Sequence, residues 1–251
     1  MLGVVALVAL VAVLVGTVAV FSAQDDVEPV AQDRLGPVLL VPGYGGSLGV
    51  LDPIRIALEE QGRLAVMVPA LGDGTGDLDA QAENLAEVAD RTLAESGASS
   101  LDVVGFSAGG LVARLWVKDH GGAALARRVL TIGSPHHGTA VAETVLGGVG
   151  DCSTACEQMV PDSDLLRSLN AGDETPDGPR FVSVWSVVDR VAVPPTTAAL
   201  DGAALNLSVQ SVCPDDVVAH GGLPADPVVL ALLSTALGTG PPATPTDVDC
   251  G

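Results

Sequence analysis

Gly105-Phe106-Ser107-Ala108-Gly109 is the stretch that decides how the rest of this chain is read. It has the form G-x-S-x-G. The run Leu101-Asp102-Val103-Val104 precedes it and has the length of a buried strand. Leu111-Val112-Ala113-Arg114-Leu115-Trp116-Val117 follows it and is compatible with a helix. A serine at a strand-to-helix turn is the setting in which this pattern becomes a nucleophile elbow, and the bare pattern in a glycine-rich chain would carry little. The turn pushes the serine hydroxyl outward. Flanking glycines are needed because a side chain at either place would collide with the neighbouring strand and helix. The start of the helix adds backbone N–H groups and a positive dipole end beside the nucleophile.

Upstream, Val38-Leu39-Leu40-Val41 reads as a buried strand that ends in the loop Pro42-Gly43-Tyr44-Gly45-Gly46. Asp52 to Gln61 fits a helix, with Pro53 at its start and Gly62 past its end. Leu64 to Val68 reads as a strand. Asp77 to Glu95 has helical periodicity, stopped by Gly97. Downstream, strands are expected at Val129–Ile132, Phe181–Trp185 and Asn206–Val209, and a closing helix at Asp226–Leu237. Strands alternating with helices imply an α/β fold: a mostly parallel, doubly wound sheet with helices on both faces. Such sheets place their sites beyond the carboxyl ends of the strands.

A serine hydroxyl needs a base within hydrogen-bond reach and an acid to orient that base. In folds of this kind the chain order is Ser, then Asp or Glu, then His. The chain has four histidines. His120 ends the elbow helix. His136 and His137 follow the serine too closely to leave room for an acid-bearing strand between. His220 lies in the last loop before the closing helix, so it is the expected base. Asp189, just beyond the strand ending at Trp185, is the expected acid. Asp201 lies in a later Asp-Gly turn, and Asp215 and Asp216 are too near His220 to come from a separate strand. The oxyanion of an acyl-transfer intermediate needs preorganised N–H donors. The amides of Ala108 and Tyr44 are the expected pair. His136 and His137 either line the cleft floor or hydrogen-bond their own loop. No carboxylate is adjacent to them in sequence, so no metal site is expected there.

The chain has 251 residues, enough for one domain with a real core. Thirty-one acidic against 11 basic residues give a net charge of −20, and aromatics are 2%. Nucleic acid and anionic membrane surfaces are therefore unsuitable partners. Residues 1–23 hold an uncharged apolar stretch, 2–21, which reads either as a secretory signal or as a membrane anchor. Both readings place the rest outside the cytoplasm. Residues 24–36 read as a linker, 37–237 as the catalytic domain, and 238–251 as a Pro- and Thr-rich tail. Four cysteines in an exported chain favour disulfides. Three pairings exist on paper. Cys152–Cys156 with Cys213–Cys250 is the expected one, the second tying the tail to the body.

Three segments together carry a family resemblance: V-L-L-V-P-G-Y-G-G at 38–46, D-V-V-G-F-S-A-G-G at 102–110 and T-I-G-S-P-H-H-G-T at 131–139. They resemble the secreted lipase/esterase group of actinobacteria, α/β-hydrolase enzymes similar to the small bacterial triacylglycerol lipases. The resemblance runs from about residue 36 to about residue 235. It implies hydrolysis of an ester or lipid small-molecule substrate without an organic cofactor. The catalytic residues it implies are Ser107, Asp189 and His220, with oxyanion donors at Tyr44 and Ala108. Many relatives carry His-Gly where this chain has Pro42-Gly43, and His or Tyr where it has Phe106. The long segment of about 139–180 exceeds what a crossover needs and reads as a small cap. The same machinery would also serve acyl transfer to another acceptor, and a dead hydrolase fold used for binding is the reading from outside the enzymes.

Overall fold

The computed structural model describes residues 27–250. Six strands make one sheet: β1 (Val38–Val41), β2 (Ala65–Met67), β3 (Leu101–Phe106), β4 (Ala126–Ile132), β5 (Arg180–Trp185) and β6 (Leu205–Ser208). Their order is β2-β1-β3-β4-β5-β6, and every pair is parallel. Among the described residues seven α-helices accompany them: α1 (Asp52–Glu60), α2 (Leu78–Ser96), α3 (Ala108–Asp119), α4 (Ala140–Thr144), α5 (Thr154–Gln158), α6 (Asp164–Leu169) and α7 (Pro227–Ala236).

Strand alternation sorts the apolar side chains into two cores. In β1, Leu39 and Val41 face one side and Val38 and Leu40 the other. The first side packs on α2 and α3 through Leu85, Val88, Leu111 and Trp116. The second packs on α1 and α7 through Ile54, Leu58, Val228 and Leu232. A strand covered on both faces must be apolar throughout, which is why β1 reads as an unbroken hydrophobic run. Burying each such Leu, Ile or Val is worth roughly 1.5–3 kcal/mol. Local signals set the helix ends. Asp77 caps α2 by accepting from the Asp79 N–H, and Asp226 caps α7 by accepting from Val228 and Val229.

The chain turns from β1 to β2 on one side and to β3 on the other. The strand order therefore reverses between β1 and β3, and a crevice opens beyond their carboxyl ends. The loop after β1 and the turn after β3 meet in that crevice.

The elements follow the sequence expectations closely, with one difference. β4 begins at Ala126 rather than Val129, so Arg127 and Arg128 lie inside a buried strand. Their side chains run to the far end of the sheet. There Arg127 donates to the carbonyls of Leu237 and Gly238, and Arg128 donates to Gly240. Those acceptors come from the end of the chain, which local patterning does not reveal.

Residues 139–179 contain no strand and fold into α4, a π-helical turn at Val145–Val149, α5 and α6. Residues 27–36 of the expected linker have no helix or strand, yet the Gln32 carbonyl accepts from Arg127 at 2.9 Å. Among the described residues no helix is long and apolar enough to cross a membrane. The apolar stretch 2–21, and with it the signal-or-anchor reading of 1–23, lies outside the described residues.

Cys152 pairs with Cys156 and Cys213 with Cys250. The second bond closes a loop of 37 residues and holds the Pro-rich tail against the body, whereas the first spans only four. Cross-linking a longer loop removes more freedom from the unfolded chain. The Cys213→Ser/Cys250→Ser variant is expected to lose about 2–4 kcal/mol in urea unfolding, and more than Cys152→Ser/Cys156→Ser. An equal loss in the two variants would refute the chain-entropy account.

Candidate active site

Ser107 stands directly after β3, with φ 54° and ψ −126°, a backbone that L residues rarely adopt. Two hydrogen bonds hold the turn: Ser107 N–H donates to Ile132 at 2.8 Å, and Gly110 N–H donates to Ser107 at 3.0 Å. The flanking glycines are needed for space. A Cβ at Gly105 would lie 2.5 Å from the Gly109 carbonyl oxygen, and one at Gly109 would lie 2.4 Å from that of Val41. Helix α3 could not seat against β1 and β3 with side chains there.

His220 and Asp189 meet at this serine. His220 Nε2 is 2.9 Å from Ser107 Oγ, and its Nδ1 is 2.6 Å from Asp189 Oδ2. The Asp189 carboxylate can only accept, so Nδ1 carries the proton. Nε2 then presents its lone pair to the serine hydroxyl. The other carboxylate oxygen, Oδ1, accepts from the N–H groups of Val191 and Ala192 at 2.7 and 3.1 Å. Asp189 is thereby locked in orientation, at 4% exposure. Phe106 packs its ring against His220, with centroids 5.1 Å apart.

The Gly43-Tyr44 segment abuts the serine. A Cβ at Gly43 would come within 2.9 Å of Ser107 Cβ. Among the described residues, no acceptor engages the backbone N–H of Tyr44 or of Ala108. Tyr44 has a second connection, a 3.0 Å hydrogen bond between its hydroxyl and Ser153 Oγ. Ser153 caps α5, so this contact pins the 139–180 segment over the site.

A cavity of about 190 Å³ opens beside Ser107 and His220. Its walls are mostly apolar and come from the 139–180 segment, with Ala142, Val145 and Met159, and from Val191 and Ala192 beyond Asp189. Sequence reading did not single out these wall residues. Those of the 139–180 segment lie in or beside short helices without periodicity, so the unusual length of the segment was the available signal.

His136 and His137 do not line the cavity; His136 bonds back to strand β4, and His137 to the loops around it. His136 is fully buried, and burial, with Arg114 and His137 nearby, holds its pKa well below the ordinary 6.5. Thr131 Oγ1 donates to Ser183 Oγ and accepts from the neutral ring's Nε2–H at 3.0 Å. His137 Nε2 lies 2.9 Å from Glu174 Oε1. No carboxylate adjoins these histidines in sequence. The fold brings Glu174 and Asp201 to His137 from separate loops. Asp201, the weaker alternative to Asp189 as the acid, is part of this second cluster.

The sequence pattern of the family described as palmitoyl protein thioesterase matches residues 37–173, more than half of the chain. No curated protein sequence matches the chain. Solved structures share the fold. Lipase B of Aspergillus fumigatus superposes with a TM-score of 0.75 at 21% identity, over 85% of this chain and 55% of that one. The chain thus spans little more than half the length of that lipase. The mature form of the Bacillus licheniformis lipase BlEst2 superposes with a TM-score of 0.65 at 15% identity, over 84% of this chain and 94% of that one. The Listeria innocua lin2722 product superposes with a TM-score of 0.57 at 14% identity, over 87% and 100%. At these identities the likeness is one of fold.

Proposed function

The chain belongs to the palmitoyl protein thioesterase family, and on that premise we propose that it hydrolyses acyl esters and thioesters through an acyl-enzyme on Ser107. Its family and α/β-hydrolase fold are those of carboxylic ester hydrolases. The observation that carries the residue roles is the chain of contacts from Ser107 Oγ through His220 to Asp189, at the mouth of an apolar cavity.

In this reading His220 Nε2 takes the Ser107 proton as Oγ bonds to the acyl carbon. The carbonyl oxygen becomes an oxyanion, which the Tyr44 and Ala108 amides stabilise. Asp189 holds the Nδ1–H tautomer and stabilises the imidazolium. His220 then gives its proton to the departing alcohol or thiol. Water enters, loses a proton to His220 and attacks the acyl-enzyme. The carboxylic acid leaves and Ser107 recovers its proton. The acyl chain lies in the apolar cavity, where it gains burial without desolvating a charge.

Hydrolysis of p-nitrophenyl esters from acetate to palmitate, together with a palmitoyl thioester, tests the reading. A fluorophosphonate should label Ser107 alone. A folded protein that neither turns over any of these substrates nor is labelled would overturn it. Cavity size should govern chain preference. Ala142→Leu is expected to lower kcat/KM for the longest accepted ester about tenfold relative to acetate, since one misfit methylene is worth about 1–3 kcal/mol. An unchanged profile would place the acyl chain elsewhere.

An extracytoplasmic location, secreted or anchored through residues 2–21, belongs to the same proposal. The two disulfides support it, because such bonds persist in oxidising compartments. Sequencing the amino terminus of the exported protein decides between cleavage and anchoring. Recovery of the protein only from the cytoplasm would refute both.

A further inference from the structure

His137, Glu174 and Asp201 come from three loops: the one after β4, the one between α6 and β5, and the one between β5 and β6. Their imidazole nitrogen and carboxylate oxygens lie within 4.8 Å of one another. Ligands around a tetrahedral zinc ion sit about 3.4 Å apart, given metal–ligand distances of about 2.1 Å. Small side-chain movements would bring the three into that range. None of them borders the cavity beside Ser107.

The hydrogen bonds around His137 call for a cation. Its Nδ1 lies 3.2 Å from the Thr197 carbonyl oxygen, which can only accept. Nδ1 therefore carries a proton, and a neutral ring points the lone pair of Nε2 at Glu174 Oε1, 2.9 Å away. Two acceptors cannot share that gap. Either a second proton or a metal ion must lie between them. A backbone carbonyl on one imidazole nitrogen, with a metal on the other, is the usual arrangement of a metal-binding histidine.

The surroundings are already organised. Glu174 is 6% exposed, and its Oε2 accepts from the Asp201 N–H at 2.9 Å. Thr197 Oγ1 accepts from the His137 N–H at 3.1 Å and donates to the Gly138 carbonyl at 2.7 Å. Asp201 is exposed, which leaves a route for an ion and a water ligand. Two carboxylates against the buried Arg114 guanidinium, which acts on both Glu174 and His137, leave one negative charge for an incoming cation.

We propose that His137 Nε2 and the carboxylates of Glu174 and Asp201 bind one divalent ion of the zinc type, with water as the fourth ligand. One nitrogen and two oxygens suit zinc, whereas calcium and magnesium seek all-oxygen shells. The ion would staple the loops before β5 and β6 to the β4 loop, whose Pro135 and Thr139 line the cavity. Its role is structural, and the site stands independently of the ester-hydrolase reading.

Zinc chloride titrated by calorimetry into the chelator-treated, desalted full chain tests this, with thermal unfolding alongside. His120→Gln serves as the control, because His120 Nε2 and Asp79 Oδ1 form another histidine–carboxylate pair, 2.8 Å apart. The wild type and His120→Gln should each bind one equivalent and melt higher with zinc. Asp201→Asn should bind about tenfold more weakly or worse, and His137→Gln should not bind at this site. Asp201 is exposed, so its variant carries the test if His137→Gln fails to fold. Calcium chloride should not raise the melting temperature. The proposal is overturned by no saturable binding in the wild type, by unchanged affinity in Asp201→Asn, by loss in His120→Gln, or by an equal response to calcium.

Discussion

Ser107→Ala is expected to lower kcat/KM for every accepted ester by about 10⁴–10⁶-fold and to abolish fluorophosphonate labelling, while the protein stays folded. The size of the loss follows from the chemistry. His220 can deliver its base only through the hydroxyl 2.9 Å away, and without that oxygen no acyl-enzyme forms. Groups that act as one unit are not additive, so Ser107→Ala/His220→Ala should be scarcely worse than either change alone. Stability should move little. Alanine meets the same backbone demand at φ 54° as serine does, and the lost hydrogen bond is worth about 1 kcal/mol. Steady-state kinetics and thermal unfolding on one preparation separate the two effects. Residual turnover within tenfold of wild type would remove Ser107 from the mechanism.

Asp102→Ala is expected to do the opposite: to destabilise by about 3–5 kcal/mol and leave the kcat/KM of the folded fraction near its starting value. Asp102 is fully buried at the start of β3, the end of the strand remote from Ser107. Its Oδ2 accepts from Arg63 at 2.7 Å and from Arg127 at 2.5 Å. Both arginines also donate to carbonyls at the two ends of the domain, Arg63 to Gly36 and Leu237, and Arg127 to Leu237 and Gly238. Removing the carboxylate leaves two buried guanidinium groups without a counter-charge, and an uncompensated buried charge is among the costliest changes a core can suffer. Urea unfolding measures the loss. A change below about 1 kcal/mol would mean that water or rearranged carbonyls compensate for the missing charge.

These two residues sit five positions apart, yet they differ in how much of their role can be read locally. Ser107 is legible because an elbow is a local device: a strand, a tight turn with small neighbours, and a helix start. Asp102 is not. Within Leu101-Asp102-Val103-Val104 it reads as a lone polar residue in an apolar strand, because its partners are Arg63 and Arg127. Arg127 and Arg128 mislead in the matching way. Two charges before Val129 look like the end of a surface turn, while the fold buries them against carbonyls of residues 237–240.

The sequence by itself determined the sheet's strands, the helices α1, α2, α3 and α7, the elbow and the candidate set Ser107, Asp189 and His220. Each of these rests on short-range physics: side-chain alternation, helix caps, glycine at crowded turns, and the order in which a parallel sheet delivers its loops. Only the tertiary structure decided the 2.9 and 2.6 Å contacts, the walls of the cavity, and the meeting of His137 with Glu174 and Asp201. Those features join residues tens of positions apart. Their separations are set by how the packed sheet places its loops in space, and no local pattern records that placement.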